Sequence, residues 1–203
     1  MPTSDAGLGM LCLGDSYTAG EGVASGDCWP AQLQRLLAAR GIALEAPQVI
    51  AQTGWSSEEL IAALGLANPA ADFAAVSLLI GVNDQYRNYP RERFEQAFIQ
   101  LLNRAIGHAR GMPKRVIVLS IPDWGATPFA NADPRGAAAI AAEIDAYNAL
   151  IRKHAERAGC RFVDVTQISR DAGSDGLAAD QLHPSGAQYV EWARAFLPAF
   201  PGA

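Results

Sequence analysis

Cysteine is scarce in this chain: Cys12, Cys28 and Cys160 are the only three among 203 residues. Their number is odd, their spacing is wide and no Cys-x-x-Cys pair occurs, which argues against a secreted disulfide framework and against a cysteine-built metal site. Buried, reduced thiols are the expectation. Positive charge is also in deficit, since sixteen basic residues against twenty-one acidic ones give a net charge of −5. That balance repels polyanions, so nucleic acid is not an expected partner. No apolar run approaches the roughly 20 residues that span a bilayer. The longest, Phe73 to Val82, contains a serine and a glycine, and membrane insertion is not expected. Met1 to Gly7 lack the basic residues and the apolar stretch of a signal peptide, so they read as a loose tail and the location as cytoplasmic. His-Glu-x-x-His is absent, no Gly-x-Gly-x-x-Gly follows the first apolar run, and Gly14 to Gly22 lacks the Gly-Lys-Ser/Thr ending of a phosphate loop. Neither a metal nor a nucleotide cofactor is therefore expected.

What the chain does have is enough apolar material for one core. Half its residues are hydrophobic and 18% are charged. At about 150 residues per domain, its length suits a single domain over residues 1–203. Five apolar runs alternate with segments of helical period: Gly9–Leu13, Glu45–Ala51, Phe73–Ile80, Arg115–Ile121 and Arg161–Val165. This is the pattern of βαβ units on a parallel sheet covered on both faces, a three-layer α/β/α domain.

The intervening helices are punctuated. Pro30 precedes a face of Leu33, Leu36 and Leu37 that ends at Gly41. Ser56 and Glu59 form a capping box ahead of Leu60, Ile61 and Leu64. Phe94, Phe98, Leu101 and Leu102 make the next stripe. Asp133 and Pro134 are expected to cap and open the longest helix, whose stripe runs Ile140, Ile144, Tyr147, Ile151 and His154. A last helix should begin near Pro184 and bury Tyr189, Ala193 and Phe196, while 122–132 reads as the longest loop. His108 and His154 read as packed or solvated rather than as ligands.

Ligands of open parallel sheets bind beyond the carboxyl ends of the strands. Four such ends are unusual: Gly14-Asp15-Ser16, Gln52-Thr53-Gly54-Trp55, Gly81-Val82-Asn83-Asp84 and Asp180-Gln181-Leu182-His183-Pro184. Together they hold the parts that acyl transfer needs. Ser16 can serve as nucleophile and His183 as general base, with Asp180 reaching the other ring nitrogen if the segment curls back. The backbone N–H groups of Ser16 and Gly54 and the Asn83 amide are candidate oxyanion donors. Asp15 and Asp84 read as anchors behind them. Trp124 is either loop packing or pocket lining, a choice it shares with Asp123 and Phe129.

These residue types in this order resemble the SGNH hydrolases, also called GDSL esterases and lipases. Tyr17 stands where that pattern usually has a leucine. The resemblance implies a flavodoxin-like parallel sheet in the order 2-1-3-4-5. It also implies a serine esterase that needs no cofactor, acts on a small-molecule ester and works through an acyl-enzyme, with activity rising as the histidine loses its proton. Short connections without a large hydrophobic lid suggest short acyl or acetyl groups. An acyltransferase, a thioesterase or lysophospholipase on the same residues, and a non-catalytic binding module stay open.

Overall fold

Strands form where the apolar runs lie. The computed structural model describes residues 8–203, so the expected loose tail at 1–7 lies outside the described residues. The strands are β1 (Met10–Gly14), β2 (Gln48–Ala51), β3 (Ala75–Leu79), β4 (Val116–Leu119) and β5 (Arg161–Val163). They make one parallel sheet in the order β2-β1-β3-β4-β5. β1, β3 and β4 are buried at every position, as strands covered on both faces must be, whereas β2 and β5 at the edges are partly exposed.

The helices are α1 (Ser16–Ala19), α2 (Trp29–Ala38), α3 (Ser57–Ala67), α4 (Val82–Tyr86), α5 (Arg91–His108), α6 (Ala137–Arg157), α7 (Thr166–Ala172) and α8 (Gly186–Phe196). α2 packs on α8, burying Trp29, Leu33 and Leu37 against Trp192 and Phe196, while α3, α5 and α6 pack side by side as a second layer. Each fully buried Leu or Phe contributes about 1.5–3 kcal/mol relative to exposure, so these stripes supply most of the cohesion between layers. The Ser56–Glu59 capping box is present in both directions. Cys12, Cys28 and Cys160 are buried free thiols. Among the described residues no helix is long and apolar enough to cross a membrane.

Several boundaries differ from the sequence expectation, each for a local reason. Asp133 does not cap α6. The backbone N–H and guanidinium of Arg135 take its carboxylate at 2.9 Å, the chain turns at Gly136 (φ +76°), and the helix starts at Ala137. Those bonds also hold Asp133 down at about pKa 2. α8 opens at Gly186, near Pro184 as expected, where the Ser185 hydroxyl caps it by accepting from Gln188 N. Residues 122–132 carry two short 3₁₀ turns, Trp124–Ala126 and Pro128–Ala132. His154 is half-buried, with Nε2 2.6 Å from Glu95 Oε1, instead of fully inside the α6 stripe. α7 was not expected, since Thr166 is its only fully buried residue and no apolar stripe announces it.

Candidate active site

The first strand delivers a serine at the head of a one-turn helix. Asp15 caps α1 by accepting from Tyr17 N at 3.1 Å, which places Ser16 at its first position. The N–H of that position is one of the donors a helix start leaves without an intrahelical acceptor. Asp15 is fully buried and its second oxygen has no protein partner. Loss of solvation pushes its carboxyl up to about 8, against the Tyr17 N–H that favours the charged form.

The segment before α8 delivers the histidine. Gln181 adopts φ +60°, bending the chain so that Asp180 faces back along it. One Asp180 oxygen accepts from Leu182 N and His183 N, both at 3.0 Å, and the other lies 2.6 Å from His183 Nδ1. The curl is anchored on both sides by Ala178 N to His183 O and Ser185 N to Gly176 O, each 2.7 Å. Burial works against the Asp180 charge, yet the bonds from the His183 ring and the two N–H groups outweigh it and hold the carboxyl below its ordinary range. A carboxylate can only accept, so Nδ1 carries the proton of the neutral ring and Nε2 is left with its lone pair. That lone pair faces Ser16 Oγ at 2.9 Å. Tyr17 packs beside the imidazole, with ring centroids 5.4 Å apart.

The loops after β2 and β3 are tied to each other. Asn83 Nδ2 donates to Trp55 O at 2.9 Å. Asp84 accepts from both the N–H and the hydroxyl of Ser57, at 2.9 and 2.6 Å. Arg87 donates to Gly54 O at 2.6 Å and to Glu59 at 3.0 Å. Burial raises the Asp84 carboxyl even though both Ser57 bonds oppose it. Gly81 has φ +126°, and a Cβ there would lie 2.6 Å from the Phe94 ring, so the turn that presents Asn83 requires glycine.

These parts open on one cavity of about 160 Å³. Ser16, Gly54, Asn83 and His183 line its polar side, and Val82, Tyr86, Trp124, Phe129 and Leu182 its apolar side. The structure therefore brings together every residue singled out from the sequence for direct chemistry, with Asp15 and Asp84 directly behind. Of the two readings left open for the 122–132 segment, Trp124 and Phe129 line the cavity. Asp123 instead accepts from Gly125 N and pairs with Arg170. Sequence reasoning missed Tyr86, an exposed aromatic three residues after Asn83, and Arg87, whose grip on Gly54 spans 33 positions. A serine beside an imidazole held by a carboxylate, on a cavity that Gly54 and Asn83 also line, has the parts to attack a carbonyl and hold the resulting oxyanion.

The model of the GDSL-like Lipase/Acylhydrolase family matches residues 12–190. No curated protein sequence matches the chain. Among solved structures, TesA superposes with a TM-score of 0.72 at 22% identity, covering 95% of this chain and 98% of that one. Axe2, an acetylxylan esterase from Geobacillus stearothermophilus, gives 0.72 at 21% identity, with 97% and 95% covered. LAE5, an alpha/beta hydrolase enzyme from the metagenome of Lake Arreo, Spain, gives 0.70 at 25%, with 96% and 95% covered.

Proposed function

Since this chain belongs to the GDSL-like Lipase/Acylhydrolase family, we propose that it is a serine esterase that cleaves small carboxylic esters of short acyl groups through an acyl-enzyme. The observation that carries the reading is the hydrogen-bonded chain Asp180–His183–Ser16 ending in the cavity that Gly54 and Asn83 line.

Ser16 Oγ attacks the ester carbonyl carbon as its proton passes to His183 Nε2. The N–H groups of Ser16 and Gly54 and the free N–H of the Asn83 amide hold the oxygen of the tetrahedral intermediate. His183 then gives its proton to the departing alcohol oxygen, the C–O bond breaks, and the acyl group stays on Ser16. Water, losing a proton to His183 Nε2, attacks that acyl carbon, and the returned proton frees Ser16 and the carboxylic acid. Asp180 keeps the ring in the tautomer that can accept at Nε2 and offsets the charge of the transient imidazolium.

A cavity of about 160 Å³ with a largely apolar wall supports short acyl groups. The test is hydrolysis of p-nitrophenyl esters of increasing acyl length by wild type and Ser16→Ala, with a chelator present. Turnover lost only in Ser16→Ala is expected; equal turnover in both proteins would remove Ser16 from the mechanism, and a profile peaking at long chains would overturn the short-acyl assignment.

A further inference from the structure

One indole forms a wall of the cavity and is itself held by a polar relay. Trp124 is buried, and with Tyr17 and Leu182 it lines both the cavity beside Ser16 and a compartment of about 10 Å³ behind it. Gln188, whose amide has no protein partner, lines that compartment and an open groove between α7 and α8. Behind the indole, then, lies a small compartment that shares Gln188 with the α7–α8 groove.

Trp124 Nε1 donates to Gln85 Oε1 at 2.7 Å. Gln85 Nε2 donates to Glu143 Oε2 at 2.6 Å, and Arg135 donates to the same oxygen at 3.1 Å while its guanidinium lies 5.3 Å from the indole centroid. A buried indole N–H needs an acceptor. An amide can present either its oxygen or its NH₂, and only the oxygen suits Trp124. Glu143, an acceptor, takes the NH₂ and so fixes which end of Gln85 meets the indole. Gln85 is buried and follows Asn83 and Asp84 on α4, so one helical turn carries an oxyanion donor and the holder of the wall.

We propose that Gln85, oriented by Glu143 and Arg135, is a positioning residue that sets the acyl length accepted at Ser16 by locking Trp124 as the partition between the cavity and the space behind it. The proposal rests on the esterase reading above. Released from Gln85, the indole can swing aside, and the volume it vacates joins the cavity to the rear compartment and makes room for a longer chain.

The test is a double-mutant cycle on the ratio of kcat/KM for p-nitrophenyl octanoate to that for the acetate. Gln85→Met keeps the side-chain length but loses both polar ends, and Trp124→Phe keeps an aromatic ring without the N–H. Gln85→Met is expected to raise the ratio about tenfold, the low end of the discrimination that one methylene carries in an apolar pocket. The same change in the Trp124→Phe background is expected to add nothing, because no N–H remains to hold. Glu143→Ala, at a half-exposed position that does not threaten folding, should move the ratio in the same direction. Ratios within about twofold of wild type in the folded variants overturn the proposal, as does an equal effect of Gln85→Met in both backgrounds. If wild type cleaves no ester, the esterase reading falls by itself. Calorimetric titration with acetate and octanoate then decides the lock: octanoate affinity gained in Gln85→Met supports it, and unchanged affinities overturn it.

Discussion

Asp84 reaches back 27 positions to accept from both the backbone N–H and the hydroxyl of Ser57, joining the start of α3, after β2, to α4, after β3. Gly54 lies in the loop ahead of α3 and Asn83 beside Asp84 on α4, so the two proposed oxyanion donors share one frame. Asp84→Ala strands the Ser57 N–H in a buried site and should cost about 1–3 kcal/mol of stability. Urea denaturation checks the loss. Ester turnover, normalised to folded protein, should fall with it; full turnover in the folded variant would show that the frame does not set the donors.

Two substitutions probe the chemistry directly. Asn83→Ala removes one proposed oxyanion donor and should lower kcat by about 10²–10³. Asp180→Asn should lower it by about 10⁴, because the amide no longer enforces the Nδ1–H tautomer. Steady-state kinetics on p-nitrophenyl acetate read both, and a drop below tenfold in either would take that residue out of its assigned role.

The buried carboxyl of Asp15 has a pH signature. Its value is raised from 3.8 to about 8 in the fold, so folding favours the protonated form. The resulting contribution is fully present below the unfolded value and is lost as pH rises through about 8. Wild type should therefore lose stability relative to Asp15→Asn between mildly acidic and mildly alkaline pH, because the amide does not titrate. Parallel pH dependences of the two unfolding free energies would contradict a protonated Asp15.

Gly81→Ala tests the turn ahead of α4. The added methyl meets the Phe94 ring and Ile121 at φ +126°, and strain with overpacking should cost about 2–5 kcal/mol. Thermal unfolding of Gly81→Ala beside Gly107→Ala, where a Cβ meets nothing within 4 Å, separates this clash from a general effect of glycine loss.

What could be read from the sequence was local or periodic. The strands announced themselves as apolar runs, the α3 cap as Ser56 and Glu59 three residues apart, and the α2, α5 and α8 stripes by their spacing. The Asp180-to-His183 curl lies within four residues, so their meeting could be anticipated. The tie from Arg87 to Gly54 and that from Trp124 to Gln85, across 33 and 39 positions, leave no such trace, because only the assembled layers bring those groups together. Asp133 was misread because a cap and a carboxylate captured by Arg135 look alike until the guanidinium is placed.

Ser16 and His183 are 167 positions apart, yet one hydrogen bond joins them. A ribosome adding about 5–20 residues per second makes the serine roughly 8 to 33 seconds before its proposed base. During that interval the hydroxyl lacks its proposed base, and on that mechanism an emerging chain cannot attack an ester. If Ser16 and His183 act as proposed, a chain cut short before residue 183 is an inert fragment. On the proposed mechanism, activity therefore requires synthesis through residue 183.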